Sequence, residues 1–224
     1  MGFKEADRKR RAQRKSRKIE ETKTRSTRWL IVCEGTKTEV NYFKQLAQHL
    51  NEKYNGNLKI KVEGIGKNTN SLVESVEDYF NYVQKAEGRS KIPYEKVCVV
   101  FDKDSFSKQQ FNSAIQTAKS KGYIVAWSNE CFELWLLLHF ELVVSAMGRE
   151  KCEDKLKAIF KKHGITGGYE KESEKIFEIV NKYGSMEDAI RNAKKIDKGG
   201  SNYADHNPST RVYEIVEKLI EEVT

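Results

Sequence analysis

Two apolar runs of this sequence stop at acids instead of at neutral turn residues. In "IVCEGTKTEVNYF" the run breaks at Glu34, followed at once by Gly35, and in "VVFDKDSF" it breaks at Asp102, with Asp104 two residues further on. A third stretch, "SNECFE", places Glu130 and Glu133 just past another apolar run. Carboxylates gathered at one place repel and raise one another's pKa unless a cation joins them. Hard oxygen ligands without an organised set of His or Cys suit magnesium or manganese. Such an ion would grip a phosphodiester oxygen, polarise the phosphorus and acidify an attacking water, while a remaining acid moves the proton. A lone DxD is a weak signal in itself. Its weight here comes from "IVCEG" in the matching place on another run. The "GTKT" stretch at 35–38 lacks the glycine spacing and Gly-Lys pair of a P-loop, which argues against nucleotide binding by that route.

Acids converge in this way only if the runs that carry them are parallel strands of one sheet. "WLIVC" (29–33) reads as a strand, and Val40, Phe43, Leu46, Ala47 and Leu50 follow at helical spacing. "LKIKVEGI" alternates as a second strand does. Leu72, Val73, Val76, Tyr79, Phe80 and Val83 then mark a helix, with Asn70 or Ser71 as its expected cap. "KVCVVF" (96–101) is a third strand, apolar throughout as a strand buried on both faces should be. A helix from about Ser107 and a fourth strand, "YIVAW" (123–127), complete the pattern. Alternating strands and helices predict a mainly parallel sheet of about four strands, flanked by helices through right-handed crossovers. Each strand then delivers its last residue to the carboxyl edge, where ligands bind in such sheets. From about 148 the reading changes to helices: "KCEDKLKAIFKKH", "SEKIFEIVNKY", "SMEDAIRNAKKI" and "PSTRVYEIVEKLIEEV", the last expected to start at Pro208, Ser209 and Thr210. The expected organisation is an arm at 1–28, an α/β core at 29–147 and a helical part at 148–224.

Charge separates the arm from the body. Residues 1–28 hold 12 Lys/Arg against 4 Asp/Glu, leaving 29 basic and 29 acidic residues for the rest of the 224-residue chain. The arm therefore carries the whole net charge of +8. Arg8, Lys9, Arg10, Arg11, Arg14, Lys15, Arg17 and Lys18 form a run that buries no apolar face and is suited to neutralising nucleic-acid phosphates. A solubilising tail is the plainer reading. With 38% apolar residues, no stretch approaches the ~18 apolar residues of a membrane span. Nor does the amino-terminal region resemble a signal peptide, so a cytoplasmic location without membrane contact is expected. Cys33, Cys98, Cys131 and Cys152 lack metal-ligand spacing and read as reduced core thiols. The aromatic and leucine residues of "CFELWLLLHF" read as a packed helix rather than a base-stacking platform.

The motifs "IVCEG" and "FDKD" resemble the Toprim domain of topoisomerases, primases and OLD-family nucleases. Together with "SNECFELWLLLHF", "GYEK", "AIRNAKK" and "NPSTRVYEIVEKLI", they make the chain similar, over nearly its whole length after the arm, to RloB-like (AbiLii-like) proteins. The resemblance implies a Toprim-like fold, with Glu34, Asp102 and Asp104 in catalytic and metal-binding roles. Glu39 and Glu133 would support them, Glu133 as a further metal ligand. It implies a magnesium- or manganese-dependent nuclease acting on RNA, with tRNA a candidate, or on DNA. A role in phage defence or abortive infection follows from the same likeness, with an AAA-type ATPase as candidate partner. Two features depart from the pattern. Ser105 and Phe106 stand where many Toprim enzymes carry a further acid, and Glu130 stands where the family shows proline, which makes it peripheral. Two other functions compete: a nucleic-acid or partner-binding module with a weak metal site and apolar surface at "FELWLLLHF", and a small-molecule phosphatase. The phosphatase has less support, because its nucleophilic Asp would follow the first strand, where Glu34 stands.

Overall fold

The structure, a computed structural model, describes residues 27–66, 69–87, 93–104 and 106–224. The arm up to residue 26, with all eight of its Lys and Arg residues named above, lies outside the described residues. Five strands form one sheet in the order β2-β1-β3-β4-β5. β1 (Arg28–Cys33), β2 (Lys59–Gly64), β3 (Lys96–Asp102) and β4 (Ile124–Asn129) are parallel. β5 (Ser209–Thr210) pairs antiparallel with the end of β4. The expected α/β class holds, and the arrangement is consistent with a Toprim-like fold.

Side chains alternate across the central strands because successive Cβ atoms point to opposite faces. Trp29, Ile31, Cys33, Cys98, Val100 and Ala126 join one apolar cluster, while Leu30, Val32, Val99, Phe101, Val125 and Trp127 join another. Both faces are therefore covered. The first carries α1 (Thr38–Tyr54) and the carboxy-terminal helices; the second carries α2 (Thr69–Glu87) and α3 (Lys108–Ser120). Fully burying a Leu, Phe or Met side chain contributes roughly 1.5–3 kcal/mol. Dozens of buried apolar side chains thus outweigh the few kcal/mol that a handful of buried acids costs at the sheet's edge.

The carboxy-terminal helices extend the same packing. α4 (Glu133–Leu138) is buried along its whole length, and α5 (Arg149–Lys162), α6 (Ile176–Tyr183), α7 (Met186–Ile196) and α8 (Val212–Glu221) share its apolar cluster. Burial of Phe132 and of Leu134 to Leu138, with Phe140 partly buried against the same cluster, leaves "FELWLLLHF" little apolar surface for a partner, contrary to that expectation. All four cysteines are buried and free. Ser107 caps α3 as expected, its hydroxyl accepting from Gln110 N and its own N–H donating to Gln110 Oε1, both at 3.2 Å. Two expected helix starts move. α2 begins at Thr69, which places Asn70 and Ser71 inside it. Ser209 and Thr210 are not the start of α8 but an edge strand, because Thr210 Oγ1 meets Ser128 Oγ at 2.9 Å and their backbone pairs with β4. No helix among the described residues is long and apolar enough to cross a membrane.

Candidate functional site

The strand order reverses at β1: the chain leaves it through α1 to β2 on one side and returns through α2 to β3 on the other. A crevice opens at such a switch point, outside the carboxyl ends of the two strands. Glu34 and Asp102 stand there. Glu34 N donates to Val100 O at 2.9 Å, and Glu34 Oε2 accepts from Asp102 N at 3.2 Å. The glycine after Glu34 has a steric reason: a Cβ on Gly35 would overlap the carboxylate of Glu39 in the first turn of α1. The abrupt "EG" ending of the first strand thus places one acid at the strand tip and makes room for a second beneath it.

Asp102 is buried, and its Oδ2 accepts from Phe132 N at 3.2 Å and from Arg149 Nη2 at 3.3 Å. The same Nη2 lies 3.5 Å from Asp104 Oδ2. Asp104 takes a left-handed backbone, φ 40°, which Asp tolerates better than most residues and which turns the chain sharply as the strand ends. Glu39 and Glu133 are buried too. Glu133 Oε1 accepts from the Tyr169 hydroxyl at 2.8 Å, and Oε2 has no hydrogen-bond partner among the described residues. Glu39, Asp102 and Glu133 line one cavity of about 250 Å³ with Arg149 and Lys171, its floor completed by Gly35 to Thr38.

Burial raises the Asp102 pKa well above the ordinary carboxylate value, and the charges of Glu39 and Glu133 raise it further; Arg149 and the Phe132 N–H pull the other way. Burial likewise raises Glu39, with Glu133 adding to the effect. Burial works against the charge on Arg149, yet Asp102, Glu133 and Asp104 together hold its pKa above the ordinary value. The pocket is a place where negative charge exceeds what its cations neutralise.

Every expected site acid within the described residues lies at this end of the sheet. Glu34, Asp102 and Asp104 are linked through the Asp102 N–H and Arg149, and Glu39 and Glu133 line the same cavity as Asp102. Among the described residues, however, no three acids close into a ready-made metal cage. Glu130 contributes its backbone oxygen, accepting from Asp104 N at 3.1 Å. The sequence reading missed Arg149, Tyr169 and Lys171. "GYEK" marked the last two only as a family motif. Thr38 Oγ1 donates to Lys171 O at 2.7 Å, which ties that segment to the start of α1. An unneutralised acid cluster was the one available signal for a cation such as Arg149.

A family model described as RloB-like protein matches residues 29–219. Comparison with curated proteins and with solved structures gave no match.

Proposed function

The chain belongs to the RloB-like family, and from that premise we propose that it is a divalent-metal-dependent nuclease of Toprim type. Its substrate is RNA, tRNA being one candidate, or DNA, and its role is that of an effector in phage defence. The observation that carries this reading is the contact of Glu34 with Asp102 at the switch point, beside a cavity holding both carboxylates and cationic side chains.

The donor set fits magnesium or manganese. It consists of carboxylate oxygens, a positive group already bridges Asp102 and Asp104, and Glu133 Oε2 is a buried acceptor without a partner among the described residues. Such ions keep several waters and use one or two carboxylates plus substrate phosphate, so a closed cage is not required. Glu34 and Asp102 would hold the ion, with Asp104 at its flank and Glu133 within the same pocket. When bound, it supplies the charge that polarises a phosphodiester and acidifies a water. Glu39, whose burial raises its proton affinity, is suited to accept a proton inside the cavity. Lys171 adds positive charge at the cavity wall. The arm's excess of Lys and Arg would draw in a polyanion through counterion release.

Incubation with Mg²⁺ or Mn²⁺ and a panel of RNAs and DNAs tests the reading. Glu34→Gln and Asp102→Asn should each lower cleavage by ~10³-fold, about 4 kcal/mol of barrier, with unchanged circular dichroism. Equal cleavage by the wild type and both variants sinks it. The ion pairing of Asp102 and Asp104 to Arg149, and the lack of a closed acid cage, favour one second reading: a binding module whose metal site is dormant. Tight nucleic-acid binding that ignores divalent ions and both substitutions, without cleavage, selects it.

A further inference from the structure

Arg149 opens α5 at a position where a cation is electrostatically misplaced. The first turn of a helix carries the positive end of its dipole and favours acids, and Gly148 before it offers no side-chain cap. The strand-end acids hold the guanidinium instead, through Nη2 at 3.3 Å from Asp102 Oδ2 and 3.5 Å from Asp104 Oδ2. Both distances exceed the ~2.7–2.9 Å of a good charge-assisted hydrogen bond. One nitrogen shared between two carboxylates is also not the parallel fork in which arginine binds a carboxylate most firmly. A single positive centre between oxygens of two aspartates occupies the place a hard cation would take. The same side chain is 33% exposed and lines the cavity beside Lys171.

On the reading of the site given above, we propose that Arg149 is an exchangeable counter-cation. It holds Asp102 and Asp104 while no divalent ion is bound, and it turns into the cavity to contact a phosphate of the polynucleotide when one binds. A divalent ion on those oxygens weakens the hold of the guanidinium on them, because a single and a double charge ~4 Å apart repel appreciably even at water-like screening. The cavity, at about 250 Å³, exceeds the ~30 Å³ share of one water molecule several times over, so a phosphate group has room beside Lys171. The guanidinium keeps its planar donors for phosphate oxygens once the aspartates are neutralised by the ion. The exchange would couple the two ligands: the ion frees the residue that grips the polynucleotide, and the polynucleotide keeps that residue away from the ion's site.

Calorimetric titration of the full chain with Mn²⁺, without nucleic acid, reads the competition. Arg149→Gln should bind Mn²⁺ about tenfold more tightly than the wild type, and Arg149→Lys, which retains a cation, within about threefold of it. A phosphorothioate oligonucleotide then reads the second half. Mn²⁺ should raise its affinity for the wild type at least about fivefold more than for Arg149→Gln, in which only the ion's own contact with the phosphate remains. In the unmodified protein, Mn²⁺ should speed dicarbonyl modification of Arg149, located by peptide mass mapping, and the oligonucleotide should slow it. That measurement decides the matter even where Arg149→Gln does not fold. Mn²⁺ binding that is lost in Asp102→Asn yet unchanged in Arg149→Gln, or a modification rate indifferent to Mn²⁺, overturns the exchange and leaves the nuclease reading standing. Absence of Mn²⁺ binding in all of these proteins overturns both.

Discussion

Two aspartates of this molecule each meet an arginine, and their proton affinities move in opposite directions. Asp197, just past α7, accepts from Gly199 N at 2.9 Å and from the Tyr213 hydroxyl at 2.8 Å. Arg211 adds Nη2 at 3.2 Å and Nε at 3.1 Å, the latter off the hydrogen-bond axis but within charge contact. Burial pushes the Asp197 pKa up, and these donors outweigh it, so the group stays below its ordinary value. Asp102 is more deeply buried, its contacts with Phe132 N and Arg149 are longer, and two acids neighbour it, so its pKa rises, with burial the largest cause. The arginines differ in the same sense: Arg211 is 14% exposed and lies over the Tyr203 ring at 5.4 Å, whereas Arg149 is 33% exposed and faces a cavity. A polar network built for stability saturates its charges; one kept for binding leaves them partly unmatched.

The largest effect on stability should come from the saturated network. Asp197→Ala leaves the half-buried Arg211 with Glu214 as its remaining acidic partner and removes three hydrogen bonds, at an expected cost of about 3–4 kcal/mol. For a chain of this size that is a fall of roughly 10 °C in Tm, read by thermal or urea unfolding at neutral pH. A fall of less than about 1 kcal/mol would show that this network is no more structural than the other.

His139 is a third polar group in the core, buried and hydrogen-bonded but uncharged. Its Nδ1 lies 3.0 Å from Trp135 O, a carbonyl that only accepts, so Nδ1 carries the proton and Nε2 accepts from the Tyr42 hydroxyl at 3.3 Å. The neutral ring is satisfied on both sides, and burial lowers its pKa to about 4. In the unfolded chain the ring titrates near ~6.5. Its contribution is therefore complete above that value and lost as pH falls from 6.5 toward about 4, where the unfolded state binds the extra proton. The wild type should lose about 3 kcal/mol over that window relative to His139→Asn. Parallel stability profiles for the two proteins would remove His139 from the account.

Legibility in the sequence followed the range of the interaction. The β1, β3 and β4 runs are apolar on both faces, and the acids at their tips lie next to those runs in the chain, so Glu34 and Asp102 could be placed from local pattern and strand direction. The Ser107 cap is local as well. Arg149 stands 47 residues from Asp102, and Tyr169 stands 36 from Glu133. Nothing in the helical periodicity of α5 distinguishes an arginine that neutralises a distant acid from one facing water. β5 failed for a related reason: two polar residues, Ser209 and Thr210, have no strand pattern of their own and pair because β4 offers an edge. The same long-range packing buried "FELWLLLHF", whose apolar character alone did not say whether it faced a partner or the core.

The smallest expected effect is also the one whose sign separates the two networks. Asp102→Asn keeps the side-chain shape and removes the charge. The Asp102 pKa in the folded protein lies above its unfolded value, so any stability it contributes is present at low pH and lost as pH rises through the folded pKa. The charged form of the group faces burial, Glu39 and Glu133, with Arg149 as partial relief. Removing that charge should therefore raise stability at pH 7, by about 1 kcal/mol and a few degrees in Tm, as expected where a site is held against stability. Near pH ~4, where the unfolded carboxyl begins to take its proton, wild type and variant should converge, the reverse of the trend for His139. A lower Tm for Asp102→Asn at pH 7 would mean that the Arg149 ion pair outweighs the repulsion. Asp102 would then belong with Asp197, as one half of a structural bridge, and Arg149 would be too firmly held to be exchanged for a metal ion.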